Sequence, residues 1–137
     1  MHAKLNGRGQ FIDSLGVCRF CIADLQLTVD CLNAITGWEF SIAEAMEAGR
    51  RIINQLRLFN LRHGLRKELE APSVRYGSSP VDGPVKGISI MPHWESLRRN
   101  YYQQMGWDPD SGRPLPETLE RLGLAHLIQD LKDLSNS

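Results

Sequence analysis

The first third of the chain contains apolar residues spaced three and four apart, separated by short polar breaks. Between residues 11 and 32 this spacing matches one face of a helix. Gly16 lies inside the segment and costs a helix about 1 kcal/mol relative to alanine, so the pattern predicts a helix or a broken helix. A run through Asn33, Thr36 and Gly37 then predicts a loop.

The most regular helical pattern extends from Ser41 to about His63. Ser41 and Glu44 have the spacing of a capping box, in which each side chain hydrogen-bonds the other residue's backbone N–H. Gly64 is placed to end the helix with a left-handed residue. The apolar stripe predicted along this helix consists of Ile42, Ala45, Met46, Gly49, Ile52, Ile53, Leu56, Phe59 and His63.

Proline and glycine are concentrated between residues 71 and 92, which predicts a long loop without helix. A helical pattern returns near His93 and ends at Gly106. Two short helices are predicted at residues 115–122 and 125–134. The predicted fold class is therefore mainly α: an irregular helical domain with a long Pro/Gly-rich middle loop and at most short β pairing in that loop.

Length and charge narrow the class of protein. The 137 residues, 42% of them hydrophobic, predict a single domain covering residues 1–137. Sixteen basic residues balance sixteen acidic ones, which argues against nucleic acid as a partner. No apolar run approaches the ~20 residues of a membrane-spanning helix. The first ten residues lack the apolar core of a signal peptide, so we expect a cytoplasmic protein with no membrane partner.

The three cysteines are the first candidates for chemistry. Cys18-Arg-Phe-Cys21 has the C-x-x-C spacing of redox pairs and metal knuckles. A thioredoxin-like site requires a neighbouring β-α-β pattern, and a zinc site requires further ligands; the sequence offers neither. The favoured interpretation from spacing alone is that Cys18, Cys21 and Cys31 are buried small hydrophobic residues.

Several arginines lie in the second half of the long helix and just after it. Arg57, Arg62, Arg66 and Arg75 carry guanidinium groups, which bind carboxylates and phosphates. The alternative, which the sequence favours, is a solvated helix face that forms salt bridges with Glu68 and Glu70.

Four blocks in order resemble one family. Asp13-Ser-Leu-Gly16-Val-Cys18-Arg-Phe20 resembles the D-x-x-G-[LV]-C-x-F motif of the tungsten-containing aldehyde ferredoxin oxidoreductases. The stretch Arg57–Arg66 and the loop Gly83–Gly87 are similar to later family segments. The ending from Tyr101 to Leu124 resembles Y-Y-x-x-x-G-W-D…G-x-P…L-x-x-L-G-L. The resemblance covers about residues 10 to 124 and implies the fold of the family's C-terminal helical domain.

The resemblance implies an oxidoreductase that converts aldehydes to carboxylic acids. In the family, a tungsten held by two pterin dithiolenes (a molybdopterin-type cofactor) and a [4Fe–4S] cluster transfer electrons to ferredoxin. Cys18 matches the cysteine that ligates the cluster, and a thiolate is the standard cluster ligand. Asp13 matches the pterin-contacting carboxylate, and Gly16 and Val17 lie where the backbone passes the cofactor. The family's other three cluster cysteines and its pterin domain are absent from this sequence.

Three hypotheses follow from these observations. The leading one is a C-terminal fragment or subunit that requires the remainder of the catalytic polypeptide and binds no cofactor by itself. The second is an orphan helical interaction domain that has lost the redox role. The third, a small thiol redox protein using Cys18 and Cys21, leaves the downstream blocks unexplained. Apolar faces larger than so small a domain can cover also predict a possible homo-oligomer, or an exposed apolar surface near Cys18.

Overall fold

The fold is mainly α, as predicted. A computed structural model describes residues 5–18, 20–22 and 24–133. The helices are α1 (Arg8–Ser14), α2 (Leu25–Thr36), α3 (Ile42–Arg62), the single turn α4 (Val74–Gly77), α5 (Trp94–Met105), α6 (Pro116–Arg121) and α7 (Ile128–Asp133). Short 3₁₀ segments occupy Lys67–Glu70, Met91–His93 and Ala125–Leu127. None of the helices in the described ranges is both long and apolar enough to cross a membrane.

Helix α3 begins and ends as its sequence predicts. The Ser41 hydroxyl accepts the Glu44 N–H at 3.2 Å, and the Glu44 carboxylate accepts the Ser41 N–H at 2.8 Å, which completes the capping box. Gly64 follows the helix with a φ of +85°, in the left-handed region that favours glycine. The local signals at both ends of this helix are therefore sufficient to locate it.

The segment from residue 11 to residue 32 is a broken helix, one of the two predicted alternatives, whereas the loop predicted from Asn33 begins only after Thr36. Helix α2 continues through Asn33 and ends only at Thr36. The Thr36 hydroxyl donates to the Leu32 carbonyl at 2.7 Å, so this polar side chain bonds the last turn of α2 and does not end the helix earlier. The Asn33 side chain accepts the Phe40 N–H and donates to the Phe40 carbonyl, both at 2.8 Å. Polar residues that suggested a loop instead attach α2 to the segment that enters α3.

Two glycines allow α1 to pack closely against α3. A Cβ atom on Gly49 would lie 1.9 Å from the Gly7 carbonyl oxygen, so only glycine fits this position. The contact brings Phe11 and Ile12 of α1 onto Ala45 of α3. Val29 of α2 completes this core cluster.

The second half of α3 buries a different face from the one predicted. Leu56 and Phe59 are 53% and 58% exposed, whereas Asn54, Arg57 and Leu58 are buried. Leu58 packs with Leu119 and other leucines of the C-terminal segment. The predicted stripe fails here because Asn54 and Arg57 have buried polar partners, and a hydrophobicity pattern cannot foresee such partners.

The middle of the chain is irregular, as predicted. One helical turn at Val74–Gly77 interrupts it, although the prolines and glycines there predicted no helix. The described residues form no strand. Their only isolated β-bridge joins Trp107 to Pro114, outside the middle loop, where the sequence allowed at most short β pairing. The closing helices lie near their predicted positions, and the predicted end at Leu134 lies outside the described residues.

Candidate functional site

The last turn of α1 and the loop after it contain the predicted site residues. The N–H of Gly16 donates to the Asp13 carbonyl at 3.2 Å, which ends the helix. Gly16 has a φ of +70°, and among the described residues no atom beyond its chain neighbours lies within 4 Å of the place where a Cβ would stand. Glycine is therefore required by the backbone conformation, and the space beside it is open.

Cys18 begins a hydrogen-bonded turn in this loop. Its carbonyl accepts the N–H of Cys21 at 2.9 Å and that of Ile22 at 3.1 Å. The expectation that the three cysteines are buried is wrong, since Cys18, Cys21 and Cys31 are all exposed. Cys18 and Cys21 lie in a turn outside the core, and Cys31 lies on α2, whose buried residues are Thr28 and Val29.

The surroundings of the Cys18 sulfur favour the thiolate. Backbone N–H groups of Phe20 and Cys21, together with the Cys21 thiol, hydrogen-bond the sulfur and lower the pKa of Cys18 below its ordinary value. The thiolate is the form that ligates metals. An exposed cysteine in such a turn fits the role of one protein ligand reaching a group outside the domain.

The neighbours of Cys18 divide between exposed and anchored positions. Asp13, on the last turn of α1, and Gly16 are exposed. Val17 is half-buried and packs against the cluster formed by α1, α2 and α3, so it anchors the loop to the core. Across the part of the chain that the structure describes, no three His, Cys, Asp or Glu side chains come together as a metal site. The four predicted residues therefore lie close together in sequence at the end of α1 and in the following loop, where Cys18 is the candidate thiolate ligand.

A buried ion pair between Arg57 and Glu70 is the feature that differs most from the prediction. Arg57 is only 6% exposed, and its guanidinium binds the Glu70 carboxylate with N–O distances of 2.5 and 3.1 Å. Its Nε–H donates to the Gly112 carbonyl at 2.8 Å, and the group lies over the rings of Tyr102 and Trp107. The interpretation as a solvated face is therefore wrong for Arg57, although its salt bridge to Glu70 is confirmed.

Electrostatics around Glu70 follow from this cluster. Burial opposes ionisation of the carboxyl group, but hydrogen bonds from Arg57 and Tyr102 and the charges of Arg57 and Arg98 outweigh it, so the pKa of Glu70 lies below its ordinary value. Burial, followed by the hydrogen bond that Tyr102 donates to Glu70, raises the pKa of the tyrosine. The polar groups of Arg57, Glu70 and Tyr102 bind one another within the domain, which indicates that the cluster is structural.

Comparison with known proteins identifies the family. The family model described as aldehyde ferredoxin oxidoreductase, domains 2 and 3, matches residues 1–124. The chain belongs to the aldehyde ferredoxin oxidoreductase family. Proteins named tungsten-containing aldehyde ferredoxin oxidoreductase are similar to it: that of Pyrococcus horikoshii is 42% identical over 122 residues, and that of Pyrococcus abyssi is 40% identical over 121 residues.

These two alignments cover 85% of this chain but 19% of each relative. The Pyrococcus furiosus protein of the same name is 37% identical over 119 residues, with the same 19% share. The chain thus spans about a fifth of the length of the aldehyde ferredoxin oxidoreductases that it matches.

Proposed function

We propose that this chain is the C-terminal part of a tungstopterin and iron–sulfur oxidoreductase that oxidises aldehydes to carboxylic acids and reduces ferredoxin. The observation that carries the proposal is the exposed Cys18 thiol, whose sulfur accepts hydrogen bonds that favour the thiolate. It occupies the cysteine position of the family motif, in a chain whose residues 1–124 match the family. When bound, the tungsten centre supplies the two-electron oxidation of the aldehyde, and the cluster supplies one-electron transfer.

Each residue of the loop has a role in this proposal. Cys18 supplies one thiolate to the cluster, and three cysteines of another polypeptide segment supply the others. Asp13 accepts hydrogen bonds from pterin N–H groups, which orients the cofactor. Gly16 turns the backbone and leaves open space for the cofactor, while Val17 anchors the loop to the core.

The proposed partners follow from the length of the relatives. The remainder of the catalytic polypeptide supplies the pterin domain and the missing ligands, so the chain alone is inactive and binds no cofactor. Ferredoxin is the partner of the assembled enzyme. Three free cysteines agree with a cytoplasmic location, because reducing compartments keep thiols reduced.

Co-expression with the other four-fifths of the Pyrococcus horikoshii relative tests this function. We expect the complex to oxidise an aldehyde with a viologen as electron acceptor and to contain tungsten and iron. Cys18→Ala should remove iron and activity, and Asp13→Ala should reduce pterin and tungsten retention. Cys31→Ala, an exposed cysteine on α2, should change none of these quantities.

Two outcomes would overturn the proposal. Activity and metal content unaffected by Cys18→Ala and Asp13→Ala would show that the family roles do not transfer to this chain. A stable complex without tungsten or iron would favour the interaction domain that has lost its redox role.

A further inference from the structure

Cys18 and Cys21 are the first and fourth residues of one reverse turn. The Cys21 N–H donates to the Cys18 carbonyl at 2.9 Å, which closes the turn. The first and fourth Cα atoms of such a turn lie within about 7 Å of each other. Disulfide-bonded cysteines have Cα atoms about 4.4–6.8 Å apart, so the turn already brings the two backbones into this range.

Both thiols are also accessible in this turn. Both residues are exposed, which allows a small oxidant to reach them. The turn lies in the loop between α1 and α2 and is part of neither helix, so bond formation does not require a helix to unwind.

We propose that Cys18 and Cys21 form a reversible intramolecular disulfide by exchange with a low-molecular-weight disulfide such as oxidised glutathione. One protein thiolate attacks a glutathione sulfur, forms a mixed disulfide and releases one glutathione thiolate. The second protein thiol loses its proton, attacks the protein sulfur of the mixed disulfide and releases the second glutathione. The protein pair loses two electrons, oxidised glutathione gains them, and the two protons appear on the two glutathione thiols.

The consequence for the enzyme rests on the proposed function. A Cys18 sulfur bonded to Cys21 cannot bind iron, so oxidation before assembly prevents this chain from supplying its cluster ligand. Cys21, which is not a proposed cluster ligand, thereby protects Cys18 reversibly and delays assembly until the thiols are reduced.

Thiol mapping of the full chain, in the absence of any partner polypeptide, tests the disulfide itself. The reduced chain is incubated with excess oxidised glutathione, alkylated with N-ethylmaleimide and analysed by intact-mass and peptide mass spectrometry. We expect a peptide linked between Cys18 and Cys21 with no glutathione on either residue, while Cys31, which has no partner thiol in the turn, is alkylated or carries one glutathione. Dithiothreitol should restore three alkylated cysteines.

Matched serine variants separate this pairing from general thiol reactivity. Cys21→Ser should lose the intramolecular bond and retain a glutathione adduct on Cys18, whereas Cys31→Ser should form the bond as the wild type does. Stable glutathione adducts on both Cys18 and Cys21 of the wild type, or pairing of either with Cys31, would overturn the proposal. Because no cluster or partner is involved, failure here is distinguishable from failure of the proposed function.

Discussion

Arg57 is the residue on which the C-terminal half of the domain depends. Its guanidinium joins α3 to Glu70 in the following 3₁₀ segment and to the Gly112 carbonyl beyond α5. Removing one partner of a buried ion pair leaves an uncompensated charge and costs about 3–5 kcal/mol. Through the ion pair to Glu70 and the hydrogen bond to Gly112, Arg57 attaches two later segments of the chain to α3.

Glu70→Gln should destabilise the domain in a pH-dependent manner. At neutral pH the cost should be about 1.5–3 kcal/mol, less than for a fully buried pair, because the Glu70 side chain is 23% exposed and glutamine keeps a hydrogen-bond acceptor. Because the folded-state pKa of Glu70 is lowered, its contribution is complete above the unfolded value of roughly 4.3 and is lost as the pH falls through the folded value. Thermal unfolding followed by circular dichroism should show the difference from wild type narrowing as the pH falls below about 5.

Glu68→Gln is the matched control, since Glu68 is an exposed carboxylate of the same 3₁₀ segment. It should change the melting temperature little at any pH. A stability difference for Glu70→Gln that stays constant between neutral and acidic pH would contradict this assignment.

At the scale of elements, the packing of α1 against α3 positions the loop that contains Cys18. Gly7 and Gly49 bring the two backbones together, and the loop from Leu15 to Asp24 leaves directly from α1. Val17 packs against the same cluster of side chains. The position of Cys18 therefore depends on a contact that only small residues allow.

Gly49→Ala should destabilise the domain although alanine is the better helix former. The added methyl group would overlap the Gly7 carbonyl oxygen, and overpacking of this kind costs about 1–3 kcal/mol. Urea unfolding should show this loss, while Gln55→Ala, at an exposed position of α3, should stay within about 0.5 kcal/mol of wild type. Equal stability of Gly49→Ala and wild type would show that α1 is not packed as described.

How far the sequence predicts these elements depends on the range of the interactions. The α3 capping box and the Gly16 break are local, and both were predictable from a few neighbouring residues. The burial of Arg57 depends on Glu70 and Gly112, which the fold brings from 13 and 55 positions away. The exposure of Cys18 depends on the loop lying outside the core, and hydrophobic periodicity does not predict the position of a loop. The family motif identified Cys18 as a candidate ligand but did not predict its exposure.

At the scale of the whole molecule, large apolar side chains remain on the surface. Phe20, two residues from Cys18, is 98% exposed, and Ile35 on α2 is 84% exposed. Leu56 and Phe59 lie three positions apart on one exposed side of α3. These side chains are available for contact with the proposed partner in the assembled enzyme.

The chain without its partner should therefore self-associate as its concentration rises. Burial of apolar side chains between copies provides the driving force. Sedimentation velocity over a concentration series should detect the association, and Phe20→Gln combined with Ile35→Gln should weaken it. A single monomeric species for the wild type at every concentration would contradict this expectation, and Arg51→Gln, another exposed position, serves as the control.

The iron content of the chain, alone and in complex, tests the central claim most directly. Purified anaerobically by itself, the chain should be colourless and iron-free, because Cys18 alone leaves three cluster positions without protein ligands. Together with a polypeptide that supplies the pterin domain and three cysteines, it should contain about four iron atoms per complex and absorb visible light. Cys18→Ala should abolish both signals. A brown, iron-containing monomer of the chain alone, or a complex whose iron content survives Cys18→Ala, would contradict the assignment of Cys18 as the ligand that this chain contributes.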